Sequence, residues 1–187
     1  MTTITNTGVT TTDLTATSLK TPLVEFTDGD DAIAISDTGI VTFPNQIAFA
    51  ATNTGSSQTI NSGAWTKITF ASAELNRGNA YNTSNSRFTP PVDGIYHFTT
   101  IGNFSTMTGV GGYIYFGIRK NGTVELYTTG MRLTSSAIQT DTQLNGCYML
   151  EITTSDYIEF WAYCDPGSGS TASLTSARNK FQGFLVG

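Results

Sequence analysis

The sequence predicts an all-β protein, a jelly-roll β-sandwich of about ten short strands preceded by an extended N-terminal β arm. Four observations carry that reading. No window holds a sustained apolar repeat at helical period, so almost no helix is expected. The polar residues are mostly Thr, Ser, Asn and Gly, which compete for backbone hydrogen bonds or leave the backbone too free for helices. Charged residues make up only 12% of the chain. Finally, two distant segments, Arg87–Phe98 and Phe181–Gly187, are apolar on both alternating faces.

In the first of these segments Tyr96 and Phe98 share one side, with Ile95 and Ile101 on the other. In the second, Phe181 and Leu185 oppose Phe184 and Val186. A strand dry on two faces must be covered twice, once by its own domain and once by something else. The simplest cover is another copy of the same chain.

Residues 1–45 stand apart from 46–187. Met1–Ser18 is dominated by Thr, with Ile4, Val9 and Leu14 too sparse for a core. From Leu19 short apolar bursts alternate with turns: L-V-E-F, D-G-D-D, A-I-A-I, S-D-T-G, I-V-T-F-P. Asp28-Gly29 and Thr38-Gly39 are turn dipeptides around strands too short to stand alone. Such strands gain support if three copies wrap together or if the arm lies on a partner. From Gln46 the strands come quickly, at 47–51, 65–70, 87–90, 94–104, 113–120, 123–129, 143–152, 157–163 and 181–186, separated by glycine-rich turns.

Phe88–Phe98, F-T-P-P-V-D-G-I-Y-H-F, resembles the F-x-x-P-x-x-G-x-Y-x-F signature of the globular heads related to complement C1q and tumour necrosis factor. The ending F-Q-G-F-L-V-G is similar to the closing strand of those heads, and Arg119-Lys120-Asn121-Gly122 to their K-N-G hairpin. Ser155-Asp156-Tyr157-Ile158 stands where the family has Gly-Asp-x-Val, with the glycine replaced. The resemblance spans residues 46–187. It implies that the strand after Pro-x-x-Gly and the final strand are neighbours in an inner sheet facing a three-fold axis. A homotrimer is therefore expected, with Ile95, His97, Ile101, Phe184 and Val186 at its interface.

The net charge of −5, with nine scattered Lys and Arg residues, argues against nucleic acid, which requires a clustered positive surface. No apolar run is long enough to span a membrane. The first residues have neither a basic start nor an apolar core, so no export signal is expected and the chain is expected to fold in a cytoplasm. Cys147 and Cys164 are then read as free, buried small hydrophobes. A disulfide between them is the alternative, and the family pattern places them on different sheets.

Chemistry is sparsely signalled. His97 is the single histidine, and no serine stands in a nucleophile elbow. Asp28, Asp30 and Asp31 resemble part of a calcium loop but lack its closing glutamate, so a solvated turn is expected and no metal or cofactor is assigned. Glu125, Glu151 and Glu159 fall on separate predicted strands without the pairing of a glycan-cleaving site. No catalytic residue is assigned, and the protein is read as a non-enzyme. Asn82-Thr83-Ser84, Asn103-Phe104-Ser105 and Asn121-Gly122-Thr123 match glycosylation acceptors and are read as ordinary turns.

The most suggestive group is aromatic. Alternation puts Ile114, Phe116 and Ile118 inward and Tyr113, Tyr115 and Arg119 outward. The family pattern puts Ile158, Phe160 and Ala162 inward, leaving Tyr157, Trp161 and Tyr163 outward on the neighbouring strand. These rings are a candidate ligand-binding patch; coverage by nearby loops or by a neighbouring protein is the plainer reading.

Residues 1–45 are similar to N-terminal attachment regions of tailed-bacteriophage virion proteins. The expected function is a homotrimeric virion structural protein on the particle surface, as capsid decoration or short fibre, held to other virion proteins through residues 1–45. The alternative is a receptor-binding tip that recognises host surface glycans.

Overall fold

The computed structural model describes residues 23–25, 31–53, 57–107, 112–123, 127–132, 139–165, 172–174 and 178–187. The Thr-rich start, Asp28-Gly29, Asp30 and Glu125 lie outside them. The chain divides into two units, Met1–Pro44 and Asn45–Gly187.

In the first unit β1 (Leu23–Glu25), β2 (Asp31–Ile35) and β3 (Val41–Thr42) form an antiparallel sheet in chain order. The turn between β2 and β3 is closed by Gly39 N–H donating to the Ser36 carbonyl at 3.0 Å, with Gly39 at a φ of 82°. That positive φ suits glycine because it has no Cβ. Ile35, Ile40, Val41 and Phe43 are all exposed. Ile35 and Val41 of the sheet, and Ile40 and Phe43 beside it, are thus apolar side chains left uncovered.

The second unit is a two-sheet sandwich. Its larger, seven-stranded sheet has the order β5 (Gln58–Ile60), β15 (Ala172–Leu174), β10 (Gly94–Met107), β16 (Lys180–Leu185), β4 (Ala48–Thr52), β7 (Ser72–Arg77). Strand β13 (Gln139–Ile152) pairs along the other edge of β10. The five-stranded sheet has the order β12 (Tyr127–Arg132), β11 (Tyr113–Lys120), β14 (Ile158–Asp165), β9 (Arg87–Phe88), β8 (Tyr81–Asn82). Beside β14 runs β6 (Ala64–Lys67), tied by Gly63 N–H to the Cys164 carbonyl and Ile68 N–H to the Phe160 carbonyl.

The sequence motifs become packing devices here. Phe88, Tyr96 and Phe98 form a T-shaped aromatic group, with Phe88 5.3 Å from each of the other rings. The Tyr96 hydroxyl donates to the Val92 carbonyl at 2.8 Å, which fixes the entry to β10. In the closing strand the glycine is steric. A Cβ on Gly183 would stand 2.7 Å from Phe98 and 2.8 Å from Phe49. Its absence lets Phe49 meet Phe181 edge-on at 4.9 Å and reach Phe88 in the opposite sheet, also at 4.9 Å. Gly102 in the same way leaves room for the Phe116 ring.

The K-N-G hairpin is a positive-φ turn, Asn121 at 54° and Gly122 at 75°. It is bolted to the segment before β14. Asn121 donates through Nδ2 to Asp156 at 2.7 Å and accepts the Tyr157 N–H at 2.9 Å, and Lys120 Nζ lies 3.0 Å from Asp156. Two motifs distant in sequence are one structural joint.

Several expectations need correction. Strands β5, β7, β8 and β15 were not anticipated, because their short polar sequences lack a clear apolar alternation. Strand β12 lies at 127–132 rather than 123–129, and β13 starts at Gln139 rather than Gln143. Both cysteines are free, yet Cys147 is exposed and only Cys164 is buried. Cys147 alternates with the inward Tyr148 and so points to the other side of β13. Asn103 is not in a turn but buried within β10.

Restoring a Cβ at Gly183 should force the Phe49 and Phe98 rings apart. Gly183→Ala is expected to cost about 1–3 kcal/mol, read as a lowered denaturation midpoint; an unchanged midpoint would show that the rings can yield.

Candidate functional site

Two outward faces of the sandwich gather the residues singled out from sequence. On the seven-stranded sheet, His97 pairs with Phe184 across β10 and β16, their rings 5.2 Å apart. Ile95 is 41% exposed, Phe184 46% and Val186 52%. Ile101 is half-buried four residues along β10 from His97, on the same side. All five predicted interface residues therefore share one face. Sequence reasoning missed Met149, opposite His97 and 61% exposed, and Leu75, opposite Ala50 on the edge strand β7. The signal for Met149 was present, since it alternates with the inward Tyr148 and Leu150.

The outer face of the five-stranded sheet is aromatic and charged. Antiparallel pairing puts Tyr115 opposite Tyr163 and Gly117 opposite Trp161. Tyr113 and Tyr115 lie nearly parallel, 6.1 Å apart, and Tyr115 and Tyr163 are 6.0 Å apart. Gly130 on β12 leaves space for the Tyr115 ring. Trp65 on β6 joins them, 5.6 Å from Tyr163 and 6.5 Å from Tyr115. Its membership was not legible, because the contact depends on how β6 lies beside β14. Tyr157 belongs to a separate group. The Arg87 guanidinium covers it at 4.0 Å, and a cluster of charges stands between it and the other rings.

That cluster is centred on Glu159, only 2% exposed. Its Oε1 accepts from Arg87 Nε at 2.8 Å and Lys67 Nζ at 3.1 Å, and its Oε2 accepts from Trp161 Nε1 at 3.1 Å. Burial pushes the carboxyl pKa up, but the bonds from Arg87 and Lys67 outweigh it and hold the group below the usual range. Glu159 is thus a charged tie between β14, β6 and β9. Its side-chain hydrogen-bond partners among the described residues are two cations and an indole. Among the described residues no group of three or more His, Cys, Asp or Glu is placed to hold a metal ion.

A jelly roll whose closing strand pairs with the strand after Pro-x-x-Gly, with an apolar outward face on that sheet, defines the class of globular head. The chain matches the C1q domain family over residues 48–186 and belongs to it. Its fold is similar to the globular domain of zebrafish complement 1qA protein, with a TM-score of 0.52 at 16% identity over 76% of this chain and 98% of that one. Murine APRIL is similar at a TM-score of 0.54, with 12% identity over 75% of this chain and 99% of the other. Eiger TNF from S. frugiperda gives 0.55, with 11% identity over 76% and 94%. An uncharacterized protein of Bacillus subtilis (strain 168), YqcC, is 29% identical over 116 residues, 57% of this chain. The chain spans 29% of that relative's length. Domains of this class typically form homotrimers and are generally non-enzymatic.

Asp156 and Glu159 should make the fold acid-sensitive. The Thr153 N–H and then Asn121, Lys120 and the Thr153 hydroxyl hold Asp156 well below the carboxylate range against the opposing effect of burial. Both depressed groups stabilise the fold fully above about pH 5, and that contribution is lost as pH falls through and below about 4. Asp156→Asn is expected to flatten the fall of the thermal midpoint over this window. Glu159→Gln should cost about 2 kcal/mol, less than for a fully buried pair because Lys67 and Arg87 keep contact with water.

Proposed function

We propose that this chain is a non-enzymatic, homotrimeric structural protein on a virion surface, its head assembled through the outward face of the seven-stranded sheet. The observation that carries the assembly is the cluster of Ile95, Phe184, Val186 and Met149, all exposed in a single copy. A contiguous apolar patch of this kind marks an interaction surface. Across three-fold related copies Ile95, His97, Ile101, Phe184 and Val186 would become core.

The virion placement rests on residues 1–45 and their similarity to phage attachment regions. In the first unit Ile35, Ile40, Val41 and Phe43 are exposed, which fits an arm completed by other virion proteins. The protein would fold in the host cytoplasm and be displayed on the assembled particle as decoration or short fibre. Detection of the chain in purified particles of its source, by mass spectrometry and labelled microscopy, tests this; its absence from them would overturn it.

A second reading is favoured by the rings of the opposite face, Tyr113 exposed and the others half-buried: glycan recognition through Tyr113, Tyr115, Trp161 and Tyr163, to which the structure adds Trp65. It is compatible with the first, since the two faces belong to different sheets.

The native chain is expected to sediment at three times its 20.0 kDa protomer mass. Phe184→Asp places a charge in the interface and should yield a folded monomer, with its β-sheet circular dichroism kept. A variant that remains trimeric would remove this face from the interface.

A further inference from the structure

Arg119 is the unusual group on the aromatic face. Its guanidinium lies 4.0 Å over the Trp161 ring and 5.3 Å from the Trp65 ring. Across the strand pair it stands opposite Glu159, a buried carboxylate. Both oxygens of Glu159 are already engaged, by Arg87, Lys67 and Trp161. Three cations thus surround one carboxylate, and Arg119 is the one left over. Its Nε is buried without a hydrogen-bond partner, and among the described residues Arg119 forms no ion pair. An arginine carries five donors in a planar fork that matches a carboxylate. A buried donor left unpaired is costly; that Nε is out of reach of solvent, so a ligand would be met by the rest of the half-buried guanidinium.

The surroundings say what kind of ligand. Trp65, Tyr115 and Tyr163 offer flat rings with polar tips beside the cation, and Tyr113 extends the strip. From Tyr113 to Arg119 the strip runs roughly 20 Å along β11, enough for an oligomer rather than one ring. Arg132 closes the far end, 5.8 Å over Tyr113, with Asp165 flanking Tyr113 from the opposite strand. Lys67, Arg87, Arg119 and Arg132 outnumber Glu159 and Asp165 on this face, in a chain whose net charge is −5. The local sign is opposite to that of the whole.

We propose that this face binds a carboxylate-bearing saccharide, its sugar rings stacked on Trp65, Tyr115 and Tyr163 and its carboxylate received by Arg119. The proposal rests on the glycan-recognition reading and gives it a ligand class. A nucleic-acid strand also pairs stacking with positive charge, but one unpaired arginine and Arg132 are too few to track a phosphate backbone.

The test needs no label. Trp65 and Trp161 are the chain's two tryptophans and both flank Arg119, so intrinsic fluorescence reports occupancy directly. The full chain is titrated with short oligomers of galacturonic, glucuronic and sialic acid, with their methyl esters, and with an oligothymidine. The free acid of at least one oligomer is expected to bind about tenfold or more tighter than its ester. Arg119→Gln should abolish that preference while weak stacking persists, and Arg119→Lys should restore only part of it. Trp65→Leu should weaken acid and ester alike. Circular dichroism confirms that each variant is folded. Equal binding of acid and ester overturns the assignment to Arg119 while leaving glycan recognition standing. No binding of any saccharide overturns both, and oligothymidine binding as tight as the acids overturns the ligand class.

Discussion

Strand β10 is hydrogen-bonded along both edges and apolar on both sides, and the rest of the head is arranged around that fact. Its edges are taken by β13 on one side and by β16 and β15 on the other. Its inward residues Tyr96, Phe98 and Phe104 are fully buried against the five-stranded sheet. Its outward residues leave Ile95 and His97 beside Phe184 and Met149, with no sheet of their own chain across from them among the described residues. Burial of apolar surface is the main favourable term in folding and association alike. A strand built this way supports the proposed assembly through its outward face.

The two faces of the sandwich use different physics. The seven-stranded sheet presents aliphatic and aromatic side chains bordered by charges, with Glu151 opposite Ile95 and Lys180 opposite Ile101 and 3.6 Å from Glu74. The five-stranded sheet presents rings interleaved with charges and organised by Glu159. Because that single carboxylate serves Lys67, Arg87 and Trp161, it fixes β6, β9 and β14 together and, among the described residues, leaves Arg119 without an ion pair. The first face suits a dry, permanent contact, the second an exchangeable one with a polar ligand.

The legible part of the fold was its apolar alternation. Residues 94–104 and 181–186 carried the inward set Tyr96, Phe98 and Phe181, while the pairing of β10 with β16 came from the resemblance to the C1q and tumour necrosis factor heads. The outward Tyr113 and Tyr115 followed from alternation, and the outward Trp161 and Tyr163 from the inward positions of that family pattern. Edge strands such as β7 and β8 escaped because an edge needs only half its residues covered, so their composition resembles loop. Trp65, the Arg119–Glu159 mismatch and the joint between Asn121 and Asp156 depend on side chains brought together from distant positions, for which alternation along one strand holds no signal. Cys147 was misread because residue type suggested burial where strand phase decided otherwise.

The most direct test of the central constraint is oxidative footprinting of Met149, whose side chain is 61% exposed in a single copy. If the outward face of the seven-stranded sheet is covered by other copies, Met149 is protected in the native protein and becomes reactive in the Phe184→Asp variant. Oxidation of Met149 in the native protein at the rate of a freely exposed methionine would contradict the account, leaving β10 with a face that nothing covers.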